Sequence, residues 1–414
     1  MSDRSPAPAP SDTVTRGLIG VTVAGWLGNI LSYLVLLTAA RILGAADYAE
    51  LVTLFNLLLV GSVPSFALQA VAARRMATGQ AEGLWQAGLS IGTGAAVLIV
   101  AIAPLLVAFL HLTGGFGLLF VALALPGTAI QGLCQGVLQG EQRFAGLAAT
   151  TFVGIAGKSF AGLVGLFVFG GAGATMLAIA IGVSLAAIGS AFALPELRRR
   201  GHAGLRLLGP LIAECAHASH AYGAFLLLSV SDVLLARHVL PTSAAALYAA
   251  GSILTKATLW LPQSVANVLF ASLTDSERHH RVFARAVLSL AGLAAALTAA
   301  CWLLGPLAAT IVGGNKYPAL GSQIWLFAVL GGCLAILQFT LVAGLAVRSL
   351  GVIVLIWLTV LAEAIVVLNL GGSPSTREVI GAVCLINLVS AAGAVALRLT
   401  GRASGRLLPR RATG

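Results

Sequence analysis

The sequence predicts an all-α integral membrane protein of about twelve transmembrane helices, built as two repeated six-helix halves. Three observations carry that prediction. Of the 414 residues, 59% are hydrophobic and 9% are charged, against about a quarter charged in an ordinary soluble domain. The charges are clustered, leaving uncharged apolar runs of about 20 residues or more, the length at which a self-satisfied helix crosses hydrocarbon. The longest and most basic loop falls near the middle of the chain and separates six candidate spans from six. A soluble enzyme, a nucleic-acid-binding domain and a secreted disulfide scaffold are excluded on these grounds.

Taken in order, residues 1–16 are polar and Pro-rich, with Pro6, Pro8 and Pro10 alternating with alanine. They lack the charged-then-apolar order of a cleaved signal peptide and are expected to form a disordered cytoplasmic tail. Apolar stretches between charged or Gly/Pro-rich breaks then place helices near 17–40, 49–73, 86–110, 116–139, 145–169 and 173–194. The second set lies near 211–235, 247–271, 283–305, 320–346, 350–370 and 378–398. The expected layout is an N-lobe over 17–194, a basic linker over 195–210, a C-lobe over 211–398 and a basic tail over 399–414. The loops are too short to hold a folded extramembrane domain.

Basic loop residues orient the spans. With the N-terminus inside, 18 of the 24 Lys and Arg fall on the inner side, and the outer side carries only Arg41, Arg237, Lys316 and Arg377. Both termini are therefore expected in the cytoplasm of a multi-pass cytoplasmic-membrane protein. The net charge of +11 then faces anionic lipid, not nucleic acid. The five cysteines, Cys134, Cys215, Cys301, Cys333 and Cys384, lie in or at the ends of apolar stretches without ligand-like spacing, and read as small core residues.

The halves resemble each other locally. Ala40-Arg41 ends the first span and Ala236-Arg237 ends the seventh, and a proline follows in the next helix of each, at Pro64 and Pro262. Internally repeated bundles with a site at the repeat interface are the common plan of secondary transporters. An even number of spans per half makes these repeats parallel.

Within the spans, Gly132, Gly136 and Gly140 form a ridge four residues apart, which lets another helix approach closely. Gln131, Gln135 and Gln139 run beside it, either as interhelical amide links or as a cavity-lining stripe. Five ionisable residues fall inside spans: Lys158, Glu214, Asp232, Lys256 and Glu363. Each is costly in hydrocarbon and should face a partner or a water-filled cavity. Glu214 and Asp232 are five helical turns apart on one face of the seventh span, with His217 and Ser229 beside the stripe. That face is either a cavity wall for polar cargo and protons or, through a pair such as Asp232 with Lys256, a structural tie between helices. Glu214-x-x-His217 has no third ligand and makes a poor metal site. Gly157-Lys158-Ser159 lacks the first glycine of a phosphate loop, since position 152 is Phe152, so no nucleotide-driven pump is encoded. No cofactor or metal is expected, and no enzyme site, because no loop is long enough to build one.

Three stretches carry a family resemblance. Ala40-Arg41-Ile42-Leu43-Gly44 with Asp47-Tyr48 is similar to an "ARxLGxxDYG" turn between spans one and two. The run from Gly136 to Phe144 is similar to a "GxLQGxxRF" signature. Asp232 to Arg237, followed by Leu247 to Gly251, is like the second-half counterpart. Over about residues 17–398 the chain thus resembles the polysaccharide flippases (Wzx type) of the multidrug/oligosaccharidyl-lipid/polysaccharide (MOP) exporter superfamily. The resemblance implies two six-helix lobes forming a V around a central cavity, alternating access, and a polyprenyl-diphosphate-linked glycan as cargo. It leaves a polysaccharide polymerase or glycosyltransferase as candidate partners and the coupling ion open. A diphosphate needs protected cations, for which Lys158, Lys256, Arg41 and Arg237 are available, the two arginines at span ends where interfacial anchoring competes. Sugars need amide, hydroxyl and aromatic groups, for which Gln135, Asn267, Tyr222 and Trp260 are available.

Two departures and one rival bear on the expectation. Multidrug members often rely on an acid in span one, and residues 17–40 contain none. Lipid II flippases usually have two extra spans, for which there is no room. The rival is a cation-coupled exporter of small molecules, resting on Asp232, Glu214 and Glu363. A glycan polymerase would need a larger outer loop than this chain has.

Overall fold

In a computed structural model, which describes residues 12–200, 205–260, 279–345 and 350–400, the chain is all-α, with no strand among the described residues. Eleven helices are long and apolar enough to cross a membrane among those residues. The twelfth expected span, 247–271, begins as a helix over Thr242–Trp260, and the rest of it, with Pro262 and Asn267, lies outside the described residues. So do residues 201–204 of the linker, residues 1–11 and 401–414 of the two tails, Arg278 and Arg348, whereas residues 12–16, expected in the disordered tail, are already helical.

The first half contains α1 (Asp12–Ile42), α2 (Ala45–Gly61), α3 (Val63–Ala77), α4 (Leu84–Leu110), α5 (Phe116–Gly140), α6 (Phe144–Val168) and α7 (Ala172–Phe192). A short α8 (Pro195–Arg200) follows. The second half contains α9 (Leu205–Val239), α10 (Thr242–Trp260), α11 (His279–Leu303), α12 (Gly305–Gly313), α13 (Ile324–Leu345), α14 (Gly351–Leu368) and α15 (Thr376–Thr400). The sequence expected one helix over 49–73, and the structure breaks it into α2 and α3 at Ser62. Pro64 sits in the first turn of α3, where its missing N–H is tolerated but cannot continue the hydrogen-bond ladder of α2. The ninth span likewise continues past Leu304 as α12, which has Pro306 in its first turn. Two 3-10 turns, Gly314–Lys316 and Pro318–Ser322, then lead into α13.

The chain divides into two compact units. The first comprises Met1–Thr38, Leu54–Ala108 and Leu112–Tyr222. The second comprises Ala39–Thr53, Phe109–His111 and Gly223–Gly414. The division therefore falls inside α1, α2, α4 and α9. In the first unit α5, the fourth span, is central and packs on α3, α6 and α7. In the second unit α13, the fourth span of its half, is central and packs on α10, α11 and α15. Outer faces of both units are apolar, as at Phe160, Phe167 and Leu185 in one and Leu288, Leu358 and Leu388 in the other, which suits contact with lipid tails.

The glycine ridge explains how α5 reaches the centre. A Cβ at Gly132, Gly136 or Gly140 would stand 2.5, 2.4 and 2.5 Å from the carbonyl oxygens of Ser65, Gln69 and Ala73, so three successive turns of α3 lie directly on the ridge. The second half repeats the device: a Cβ at Gly331 of α13 would stand 2.4 Å from the Thr255 carbonyl oxygen of α10. Fourth span on second span, backbone against glycine, is thus common to both halves. Gly136→Ala is expected to force α3 and α5 apart by several tenths of an ångström and cost about 1–3 kcal/mol. Thermal unfolding of the purified protein checks this, and an unchanged midpoint would contradict the close packing.

Candidate functional site

The second unit buries a polar cluster between apolar helices. Asp232 of α9 is 2% exposed, and Glu363 of α14 and Asn387 of α15 are fully buried. Tyr248 of α10 donates from its hydroxyl to Asp232 Oδ2 at 3.2 Å. Ser231 Oγ donates to Glu363 Oε2, and Asn387 Nδ2 donates to Glu363 Oε1 and to the Val383 carbonyl. Asp232 feels the charges of both the Lys256 ammonium and the Glu363 carboxylate. One turn beyond, Thr359 donates to Ser390 at 2.8 Å, linking α14 to α15.

Two carboxylates and one cation thus share a desolvated volume in which charge is expensive. The hydrogen bonds leave two buried oxygens without a donor among the described residues, Asp232 Oδ1 and Asn387 Oδ1. Buried acceptors are normally satisfied. Both shortfalls here are of positive or proton-bearing character, so the cluster has the chemistry to take up a proton or a small cation.

The remaining expected residues divide between other settings. Glu214, on the same helix as Asp232, lies in the first unit, where Arg75 binds it through Nη2 at 2.7 Å and Nε at 3.1 Å and Arg74 adds a second guanidinium. Glu214 therefore fastens the start of α9 to the end of α3. His217, one turn on, is exposed. The Glu214–Asp232 face of α9 thus serves two networks, one in each unit. Tyr222 packs edge-on against Phe66 in the first unit, with ring centroids 5.5 Å apart.

Lys158 of α6 holds its ammonium 5.7 Å from the centre of the Phe55 ring. Among the described residues no carboxylate lies within ion-pair distance of it. Gln131 links α5 to both neighbours, donating to the Thr150 carbonyl at 2.6 Å and accepting from Ser190 Oγ at 3.0 Å. Gln69 of α3 reaches Gln139 at 3.4 Å. Those two glutamines are interhelical amide links, while Gln135 is half-buried between them. Arg41 and Arg237, at the ends of α1 and α9, donate to backbone carbonyls of other helices in the second unit.

Ser231, Tyr248 and Asn387 were not among the residues expected from the sequence. Asn387 carried a signal, an amide inside an apolar run, but attention to ionisable groups alone passes over it. Ser231 and Tyr248 became relevant only through the fold.

No protein-family profile matches the sequence, and no curated protein matches it. Solved structures do. An inward-facing multidrug resistance MATE family transporter of the MOP superfamily superposes with a TM-score of 0.65 at 13% identity, over 92% of this chain and 96% of that one. The chain has a MATE-type fold. Lipid II flippase MurJ, in an inward closed conformation, superposes with a TM-score of 0.72 at 11% identity, over 92% of this chain and 88% of that one. An outward-facing MATE family transporter gives 0.60 at 13% identity, over 96% and 97% of the two chains. The MATE-type fold therefore spans nearly the whole chain.

Proposed function

We propose that this protein is an alternating-access transporter of the MOP superfamily that flips a polyprenyl-diphosphate-linked oligosaccharide across the cytoplasmic membrane for cell-surface polysaccharide synthesis. Its termini are cytoplasmic in this reading, and a polymerase or glycosyltransferase works beside it. The observation that carries the anionic cargo is Lys158, an in-span ammonium facing an aromatic ring with no carboxylate partner among the described residues. An ammonium kept in hydrocarbon without a counterion is retained at a cost, and a diphosphate passing through would supply that counterion. The three sequence motifs favour the same cargo. The Asp232–Glu363 cluster supplies a place for a coupling proton or cation, and Gln135, Lys256 and His217 remain candidates for cargo contact.

Deleting the gene tests the reading. The expected result is loss of surface glycan with lipid-linked precursor accumulating on the cytoplasmic side, and normal surface glycan would overturn it. The second reading, a cation-coupled exporter of small organic cations, is favoured by the buried carboxylates Asp232 and Glu363. It predicts drug hypersensitivity in the same deletion strain with intact surface glycan.

A further inference from the structure

The two arginines that the sequence placed at corresponding ends of its repeats have the same job in the structure, and each does it for the other half. Arg41 ends α1, the first span of the first half. Its Nη2 donates to the carbonyls of Thr310 at 3.3 Å and Ile311 at 2.7 Å, in the last turn of α12, which completes the third span of the second half. Arg237 ends α9, the first span of the second half. It donates through Nε to the Leu110 carbonyl at 3.1 Å and through Nη2 to the His111 carbonyl at 2.9 Å, at the end of α4, the third span of the first half. All of these residues belong to the second unit.

Both acceptor sites are helix C-termini, where the helix dipole favours a cation and the last carbonyls generally lack an intrahelical donor, although the Thr310 carbonyl also accepts from the Gly314 N–H. At α4 the chain leaves the helix through His111 at φ +48°. The Leu112 N–H then returns to the Val107 carbonyl at 3.2 Å, as in a Schellman end. That ending leaves the carbonyls of Phe109, Leu110 and His111 pointing outward. His238 Nδ1 takes the first at 2.6 Å and Arg237 takes the other two. The His238 ring also stacks on Phe109 with centroids 4.2 Å apart, and the buried Glu50 of α2 acts electrostatically on Arg237. At α12 the helix ends at Gly314, with φ +60°. Two residues on, Lys316 Nζ returns to the Leu43 carbonyl just past α1 at 2.9 Å. The end of α1 thus caps α12, and the chain after α12 caps α1.

We propose that Arg41 and Arg237, with Lys316 and His238, form a reciprocal clasp between the two sequence repeats that holds this end of the second unit shut and must be undone before that end can open. Helix-end hydrogen bonds from side chains suit such a task. They are directional and charge-assisted when made, yet water replaces them readily once the end is exposed. Use of the clasp in transport rests on the alternating-access reading, but the closure itself does not depend on any cargo.

The test reads closure directly. Leu110→Cys and Val312→Cys place thiols at side chains that are 1% and 6% exposed beneath the two caps. Labelling by a bulky hydrophilic maleimide is followed by mass spectrometry on the full-length protein in lipid nanodiscs. With both arginines present, the two positions are expected to label slowly. Arg237→Ala should raise the rate about tenfold at position 110 and also raise it at 312, and Arg41→Ala should do the converse. A rise confined to the arginine's own site would mean two independent helix caps and would overturn the clasp, as would unchanged rates in the double variant. If the alanine variants do not insert, Arg41→Lys and Arg237→Lys keep the charge with a single point donor. Intermediate rates at both positions are then expected, and wild-type rates would overturn the proposal. Failure of this test leaves the deletion phenotype untouched, so the two readings fail separately.

Discussion

Lys158→Ala is expected to abolish export of lipid-linked glycan while leaving the protein folded and inserted. The ammonium contributes little to the fold, since its recorded contact is the face of Phe55, and a cation over an aromatic ring is worth on the order of 1 kcal/mol. Removing an in-span charge also relieves a desolvation cost, so the thermal midpoint should hold or rise slightly. Towards a diphosphate the same ammonium would make charge-assisted hydrogen bonds worth about 1.5–3 kcal/mol each. Losing them corresponds to roughly a 10- to 100-fold weaker hold on the cargo. Lys158→Arg keeps the charge and should retain part of the activity, whereas Lys158→Gln should behave as the alanine variant. Surface polysaccharide in a deletion strain complemented with each variant provides the measurement. Wild-type surface glycan from Lys158→Ala would remove this residue from the cargo path and with it the main support for an anionic substrate.

The fold class was legible because bilayer physics writes it into composition. Apolar runs between charged breaks placed eleven spans to within a few residues of the helices observed. Helix breaks inside a span were less legible. Pro64 and Pro306 were visible as letters, but a proline in a first turn and a proline that kinks a helix look alike until the preceding residues are placed. The ridge of Gly132, Gly136 and Gly140 announced a close helix neighbour, yet only the structure identified it as α3. The in-span charges could be singled out from the sequence, and their partners were what the sequence withheld. Glu214 and Asp232 share a face of α9, but one turns to Arg74 and Arg75 and the other to Tyr248 and Lys256. Partner choice depends on which helices pack together, and no periodicity along a single helix encodes that. The donors to Glu363 come from residues 132 positions earlier and 24 positions later, separations at which a lone sequence carries no pairing signal.

Glu363→Gln should separate coupling from packing. The carboxylate is fully buried and accepts from Ser231 and Asn387. Glutamine is nearly isosteric, and its amide oxygen can keep one of these donors. Its NH2 needs an acceptor, and Ser231 Oγ, whose hydroxyl can donate instead to the Leu228 carbonyl at 2.9 Å, can accept from it while the amide oxygen keeps the Asn387 Nδ2 bond. The polar network therefore survives loss of the charge, and the thermal midpoint should stay within a few degrees. Glu363→Ala differs, because it leaves one Asn387 Nδ2 hydrogen without its acceptor at about 1–3 kcal/mol and opens a cavity between α14 and α15. Its midpoint should fall by on the order of 10 °C. If the cluster couples transport to a proton or small cation, both variants lose gradient-driven uptake, although only one loses stability. Transport in proteoliposomes under an imposed proton or sodium gradient reads the first property, and thermal unfolding reads the second. Full gradient-driven activity in a stable Glu363→Gln protein would make the cluster a structural tie between α9, α14 and α15. Lost activity at unchanged stability can arise only from the charge itself, because the substitution conserves volume, the hydrogen-bond count and the helix contacts.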